Sequence, residues 1–221
     1  MPAGFYYRFG KRWFDTSCAL CGLILLSPVF VLVALAIWST SRGPVFFRQV
    51  RTGQFGKPFR IFKFRTMRSE TTANGPLVTE AGDPRITPLG KWLRKTKVDE
   101  LPQLINVLIG DMSLVGPRPE VPEYTATFTV RQRRILFAKP GVTGLTATVY
   151  PNEEELLTNQ PDKEEYYLTT LLPAKLEIDI AYCENIRFRR DVQLIFQTLA
   201  NIFARINKLK SPLLDTSEKQ V

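Results

Sequence analysis

The 221-residue chain has no histidine. Imidazole is thereby removed as a general base, as a metal ligand and as the partner of a nucleophilic serine, so any chemistry must rest on carboxylates, lysines and arginines. Cysteine is scarce as well. Cys18, Cys21 and Cys183 form an odd set with two members inside an apolar run. That pattern argues against a disulfide framework, for a reducing compartment, and for packing as the role of Cys18 and Cys21. The chain also has no internal repeat, no low-complexity tract and, after its apolar run, no small-residue cleavage site of the kind a secretory signal peptide needs.

What is present bounds the class. With 44% hydrophobic residues the chain can bury one substantial core, so one globular domain with appendages is expected. The formal net charge of +9 calls for a polyanionic partner, which charge alone leaves as nucleic acid, an anionic membrane surface or a phosphorylated substrate.

From Cys18 to Trp38 only Gly22, Ser27 and Pro28 interrupt apolar residues, a length and composition that suit a membrane helix. Two details oppose a simple span. Pro28 removes a backbone donor and clashes with the preceding turn, so the helix is expected to kink or break there, with the Ser27 hydroxyl at hand for the freed backbone groups. Arg8, Lys11 and Arg12 precede the run while Arg42, Arg48 and Arg51 follow it, so the positive-inside rule finds no asymmetry and both flanks read as cytoplasmic. A re-entrant helix that breaks at Ser27-Pro28 and returns to the same face satisfies both details. A kinked span is the alternative, and a buried core helix fits poorly because the run has no polar face.

The remainder reads as a helix-rich α+β domain. Val45–Val50 and Phe59–Phe64 are expected strands of a hairpin turned at Gly53, Gly56 and Pro58. Thr71–Arg85 reads as a loop and Leu89–Lys95 as a short basic helix. A helix follows that Asp99 can cap, with Pro102 in its first turn, Leu101, Leu104, Ile105 and Leu108 on one face, and Gly110 at its end. Gly116–Pro119 is a stiff turn, Lys139–Gly144 a loop, Leu145–Tyr150 a candidate strand, and Pro151–Pro161 an acidic solvated stretch. Val192, Ile195, Leu199, Ile202, Phe203 and Ile206 recur at helical spacing opposite Gln193, Gln197, Asn201 and Arg205, a helix that either packs on the core or lies in a membrane interface. The tail from Ser211 reads as disordered.

Between Asp83 and Arg118 acidic residues alternate with arginines, a composition suited to phosphate chemistry. Free amides at the start of the Asp99 helix would favour an anion, and a carboxylate there could hold a magnesium ion, attack phosphorus, or both. Arg118 stands between two prolines, so its planar fork is presented at little ordering cost. Each piece alone has a plain structural reading: Asp99-Glu100 as a helix cap, Asp83–Thr87 as a capped turn, Lys63, Arg65 and Arg68 as a basic face near anionic lipid.

Together these pieces resemble the monotopic phosphoglycosyl transferase superfamily, the bacterial sugar transferases that begin glycan assembly on undecaprenyl phosphate. The likeness covers nearly the whole chain. It is carried by Lys11-Arg12 and Asp15 before Ser27-Pro28, by Gly43-Pro44-Val45 and Arg51-Thr52-Gly53, by Lys63-Phe64-Arg65-Thr66-Met67 and Asp83-Pro84-Arg85-Ile86-Thr87, then by Leu93-Arg94-Lys95, Asp99-Glu100-Leu101-Pro102-Gln103 and Asn106-Val107, and finally by Gly110–Glu120 and Pro140–Gly144. One departure is Leu145-Thr146-Ala147, where many relatives have Trp-Ala-Gln.

The resemblance implies a minimal member divided into a re-entrant membrane helix with its flanks (1–42), a catalytic domain (43–210) and a tail (211–221). It implies transfer of a sugar-1-phosphate from a nucleotide (UDP) diphosphate sugar to a polyprenyl phosphate with release of UMP, by a ping-pong route through a phosphosugar-aspartyl intermediate. Asp99 would be the nucleophile, and Glu100 would serve magnesium binding or proton handling, with Asp99 and Glu100 as the Mg2+ ligands. Arg94, Arg118, Lys63 and Arg85 would bind substrate phosphates, and Ser27 and Pro28 would mark the membrane break. The expected place is the bacterial cytoplasmic membrane with the catalytic domain on the cytoplasmic face, and the partners are membrane lipid and the two substrates but not nucleic acid; a homodimer is left open. Two rival readings stand beside it. One is a membrane-tethered basic binding protein without catalysis; the other is a metal-dependent glycosyltransferase that moves the sugar without its phosphate, against which the lack of an Asp-x-Asp motif after a strand argues.

Overall fold

A computed structural model describes residues 4–68, 82–151, 153–158 and 160–210. Most of the Thr71–Arg85 loop and the tail from Ser211 lie outside the described residues. The described residues are helix-rich with two small sheets, as the α+β reading expects.

Helix α1 (Lys11–Thr40) follows a π-helical turn at Tyr6–Gly10 and runs as one element with Pro28 inside it. The proline removes the amide that would have served the carbonyl of Ile24, and the Ser27 hydroxyl donates to that carbonyl at 2.8 Å. Ser27-Pro28 is therefore a repaired gap in the hydrogen-bond ladder and not a helix terminus. The Tyr6–Thr40 segment is long and apolar enough to cross a membrane, and Leu25, Leu32 and Trp38 are among its exposed side chains.

The expected hairpin is present. Strands β1 (Phe46–Thr52) and β2 (Pro58–Phe64) pair antiparallel, with Phe46 opposite Phe64 and Thr52 opposite Pro58. Helix α2 (Pro88–Thr96) begins at Thr87, whose side chain accepts from the Gly90 amide, with Pro88 in the first turn. Gly90 lies against the backbone of Thr66, where a Cβ would come within 2.1 Å of the carbonyl oxygen. Only glycine permits that approach.

Helix α3 (Gln103–Ile109) is shorter than expected. A 3-10 turn at Val98–Glu100 precedes it, and Pro102 stands at the N-cap instead of in the first turn. Asp99 is not the cap, for a local reason: the Leu101 amide already donates to the carbonyl of Val98, and Pro102 has no amide to give. The anion site expected from free amides is lost with it.

Strand β3 (Ser113–Val115) pairs in parallel with β4 (Gly141–Thr143), so the expected loop at Lys139–Gly144 carries a strand. Helices α4 (Pro122–Ala126), α5 (Leu145–Val149), α6 (Glu153–Thr158), α7 (Lys163–Tyr166) and α8 (Leu172–Cys183) complete the body. The expected strand at Leu145–Tyr150 is therefore helical; its Thr146 hydroxyl donates to buried Asp179 on α8, a tertiary bond that outweighs the β-branched composition.

The last helix, α9 (Phe188–Lys210), keeps Val192, Ile195, Ile202 and Ile206 of the expected face half-buried and Gln193 and Gln197 exposed, and departs from it elsewhere. Asp191 and Leu194 are buried, Asn201 and Arg205 are half-buried, while Phe196, Leu199 and Phe203 are exposed. The helix is thus joined to the core at its start and leaves an apolar stripe outside.

Three packed clusters make the interior. The largest joins α4, α8 and α9 through Tyr124, Leu176, Ile180, Tyr182 and Leu194. The other two both include α1: Ala19 with Ile61, Val107 and Met112, and Val33 and Ile37 with Phe64 and Leu93. Each such large side chain buried contributes roughly 1.5–3 kcal/mol.

Candidate active site

A cleft of about 2390 Å³ runs between the β-hairpin, the α2–α3 junction and α9. Its polar part is lined by Arg51, Lys63, Arg94, Lys97, Glu100 and Arg118, and its apolar part by Leu101, Leu104, Val142, Ile195, Leu199 and Ile202. A charged head with an apolar extension is the ligand shape such a cleft suits.

Strand β2 delivers Lys63 and the 3-10 turn delivers Glu100, and the two meet at 2.7 Å. Arg118 stands 4.0 Å from the same Glu100 oxygen. Alignment of these groups depends on Asn106, fully buried on α3, whose side chain donates to the carbonyl of Arg60 at 2.8 Å and accepts from the amide of Phe62 at 2.9 Å. It ties α3 to the strand that carries Lys63.

Arg118 is exposed while Pro117 and Pro119 on either side are buried, so the turn presents the guanidinium alone. Its amide donates to Asp179 at 3.4 Å. Although the side chain reaches solvent, partial loss of hydration works against the Arg118 charge, and Glu100, Glu153 and Glu120 outweigh it and raise its pKa. Burial pushes Asp179 up to about 7, against the hydroxyl of Thr146.

Asp99 and Glu100 are driven apart. Burial first, then the Glu100 charge, lifts Asp99 from 3.8 to about 6, with Lys63, Lys97 and Arg94 opposing the rise. Burial also works against an ionised Glu100, yet Lys63, Lys97 and Arg118 overcome it and hold its carboxyl well below the usual range. Asp99 is only 7% exposed, and its Oδ1 is a buried acceptor with no hydrogen-bond partner among the described residues. It sits behind the cleft surface, whose lining beside it is formed by Lys97 and Glu100. Adjacent carboxylates with opposed shifts are the pattern that separates a nucleophile or base from a fixed anion.

The structure thus gathers Asp99, Glu100, Lys63 and Arg118, with Arg94 close enough for its charge to act on Asp99. Arg85 lines the same cleft but is bound to Asp83, Nη2 to Oδ2 at 2.7 Å and Nε to Oδ1 at 3.0 Å. Ser27 and Pro28 lie on α1 and touch none of these groups.

Four contributions escaped the sequence reading as site residues. Arg51 donates to the carbonyl of Pro119 at 3.1 Å and so holds the Arg118 turn from the hairpin side. Glu153, within the stretch expected to be solvated, meets buried Lys175 at 3.0 Å, and Lys175 also bonds Tyr167 at 3.0 Å. Asp179 holds the Arg118 backbone, and Lys97 stands next to the dyad. Lys97 had a signal in its own neighbourhood, a cation two residues before Asp99, and Arg51 one in the Arg51-Thr52-Gly53 motif, whereas Glu153 and Asp179 had none.

As to magnesium, the described residues contain no group of three or more Cys, Asp or Glu that could hold a metal ion. Magnesium commonly takes one or two carboxylates and completes its shell with phosphate oxygens and water. Glu100 and the partnerless oxygen of Asp99 fit that smaller requirement.

The comparisons agree with this architecture. The family model for bacterial sugar transferases matches residues 6–205. An uncharacterized sugar transferase, EpsL, of Bacillus subtilis (strain 168) is 37% identical over 193 residues, 87% of this chain and 86% of that protein. The exopolysaccharide production protein PSS of Rhizobium leguminosarum bv. phaseoli is 37% identical over 210 residues, 88% of this chain and 96% of that protein. The undecaprenyl-phosphate glucose phosphotransferase of Komagataeibacter xylinus is also 37% identical, over 88% of this chain, which spans only 36% of that larger protein. A match of this extent, joined to the paired carboxylates and cations of the cleft, makes the chain a member of the bacterial sugar transferase family.

Proposed function

We propose that this chain moves a sugar-1-phosphate from a UDP-sugar to a polyprenyl phosphate at the cytoplasmic face of the membrane and releases UMP. The observation that carries the reading is the buried Oδ1 of Asp99, without a hydrogen-bond partner among the described residues, beside a Glu100 already held by Lys63. Relatives named for transfer to undecaprenyl phosphate support the acceptor class.

The Asp99 carboxylate turns into the cleft and attacks the phosphorus that bears the sugar. A P–O bond to Asp99 forms while the bond to the bridging oxygen breaks, and UMP leaves with that oxygen and its electron pair. The carrier's phosphate oxygen then attacks the same phosphorus and the Asp99–P bond breaks, giving a lipid-linked diphosphosugar and the free carboxylate. Lys63 and Arg118 keep Glu100 ionised and face the phosphate oxygens, while Arg94 adds positive charge next to Asp99. Arg85, engaged by Asp83, provides a fixed cation on the cleft wall. Glu100 and Asp99 would hold a magnesium ion, which when bound would neutralise charge on the diphosphate.

The same reading places α1 in the bilayer as a re-entrant element. Near its start Lys11 meets buried Asp191 at 2.5 Å, Arg12 donates to the carbonyls of Val107 and Leu108, and Asp15 accepts from Ser113 at 2.7 Å. Near its end Val33 and Ile37 pack on Phe64 and Leu93, and Arg65 bonds Ser41. A straight helix of this length extends about 45 Å, yet both ends are fastened to one domain, which supports a return to the same face.

Nucleotide product tests the reaction. Wild type in detergent, with magnesium, polyprenyl phosphate and a panel of UDP-sugars, is expected to release UMP, and Asp99→Asn to release none. UDP as product would mean sugar transfer without phosphate, no nucleotide would favour a binding protein, and UMP from Asp99→Asn would remove Asp99 as nucleophile.

A further inference from the structure

Helices α2 and α3 both end on a residue with left-handed backbone. After α3 that residue is Gly110, at φ 102°; after α2 it is Lys97, at φ 58°. Helices commonly end this way, and glycine is the favoured occupant because it has no Cβ to strain. A lysine there carries a backbone cost that glycine would avoid, and conformations of this kind gather at functional sites.

The Lys97 side chain adds a second, independent observation. Lys63 is committed to Glu100, and Arg85 to Asp83. Lys97 is half-buried and lines the cleft, and among the described residues its ammonium has neither a hydrogen bond nor an ion pair. Its charge nevertheless acts on Asp99, Glu100 and Glu153, which places it among three carboxylates that leave it uncommitted.

We propose that Lys97 is a phosphate-binding residue of this cleft, retained at a strained helix end because its ammonium takes an oxygen of a substrate phosphate. The inference rests on the phosphoglycosyl transfer reading and assigns this residue a role in it. The phosphate belongs either to the donor diphosphate or to the carrier, and kinetics separate the two.

The test compares Lys97→Gly and Lys97→Arg with wild type, by thermal unfolding and by steady-state UMP release with UDP-sugar and polyprenyl phosphate varied in turn. Lys97→Gly is expected to unfold about 2–4 °C higher through relief of the left-handed strain. It should also raise KM for one substrate roughly tenfold or more through loss of a charged hydrogen bond, while Lys97→Arg stays near wild type. A rise confined to the UDP-sugar places Lys97 on the donor, and one confined to polyprenyl phosphate places it on the carrier. Unchanged KM for both substrates, or a glycine variant that loses stability along with activity, overturns the proposal. Wild type that forms no UMP would instead defeat the underlying reading, whatever Lys97 does.

Discussion

Lys63 and Glu100 pair at 2.7 Å in the lining of the cleft, and this pairing leaves Asp99, one residue earlier, with a buried oxygen that nothing in the described structure satisfies. One carboxylate is thereby held as an anion while its neighbour is buried with a raised pKa, and three expectations follow from that division.

If ionised Asp99 is the nucleophile, turnover rises with pH through about 6, the value to which burial and Glu100 lift it, and levels off above. Below that pH the protonated carboxyl cannot attack. Lys63→Met removes a charge that lowers Asp99, so the acid limb of the pH–kcat profile should move to higher pH, and loss of the hydrogen-bonded partner of Glu100 should cost roughly 3 kcal/mol of stability, with Arg118 at 4.0 Å as the nearest cation left to it. A limb that stays in place in Lys63→Met would disconnect Lys63 from the nucleophile.

Asp99→Asn should be inactive and yet more stable. The folded value lies above the ordinary 3.8, so the folded protein holds a proton between about 4 and 6 that the unfolded chain has released. Stability is therefore lost as pH rises through that window, and the penalty is complete above it. Removing the charge should restore on the order of 1–3 kcal/mol at pH 7.5, with the gain fading near pH 4. Denaturant melts at both pH values check it.

Asn106→Leu should strike both fold and turnover. It strips the Phe62 amide and the Arg60 carbonyl of their shared partner, at a cost of about 2–4 kcal/mol for two orphaned backbone groups. Because the same side chain aligns Lys63 with Glu100, kcat measured well below the melting temperature should fall as well. Unchanged kcat in the folded fraction would limit Asn106 to stability.

Local signals in the sequence carried the hairpin, α2 and the dyad, because glycine, proline and capping chemistry act over a few residues. Gly53, Gly56 and Pro58 mark a turn whatever surrounds it, and Thr87-Pro88 starts a helix by itself. What escaped depends on distant partners. Strand β4 exists because Gly141 can approach Gly116, where a Cβ would fall 2.1 Å from the Gly116 amide nitrogen, and turn composition conceals that pairing. Glu153 looked solvated because Lys175 lies 22 residues further on. The depth of α9 escaped because Asp191, a charged residue, is its deepest, drawn in by Lys11 and the hydroxyls of Tyr6 and Tyr182.

Ala19 is fully enclosed between Val107, Met112 and Ile61, in the same helix whose opposite side is left bare. Trimming α1 to obtain a water-soluble enzyme would open a hole under the strand that carries Lys63 and part Asp191 from Lys11 and Ser113 from Asp15. Solubility for this protein must come from an amphiphile that covers the helix, because the part that prefers lipid is also a wall of the catalytic body.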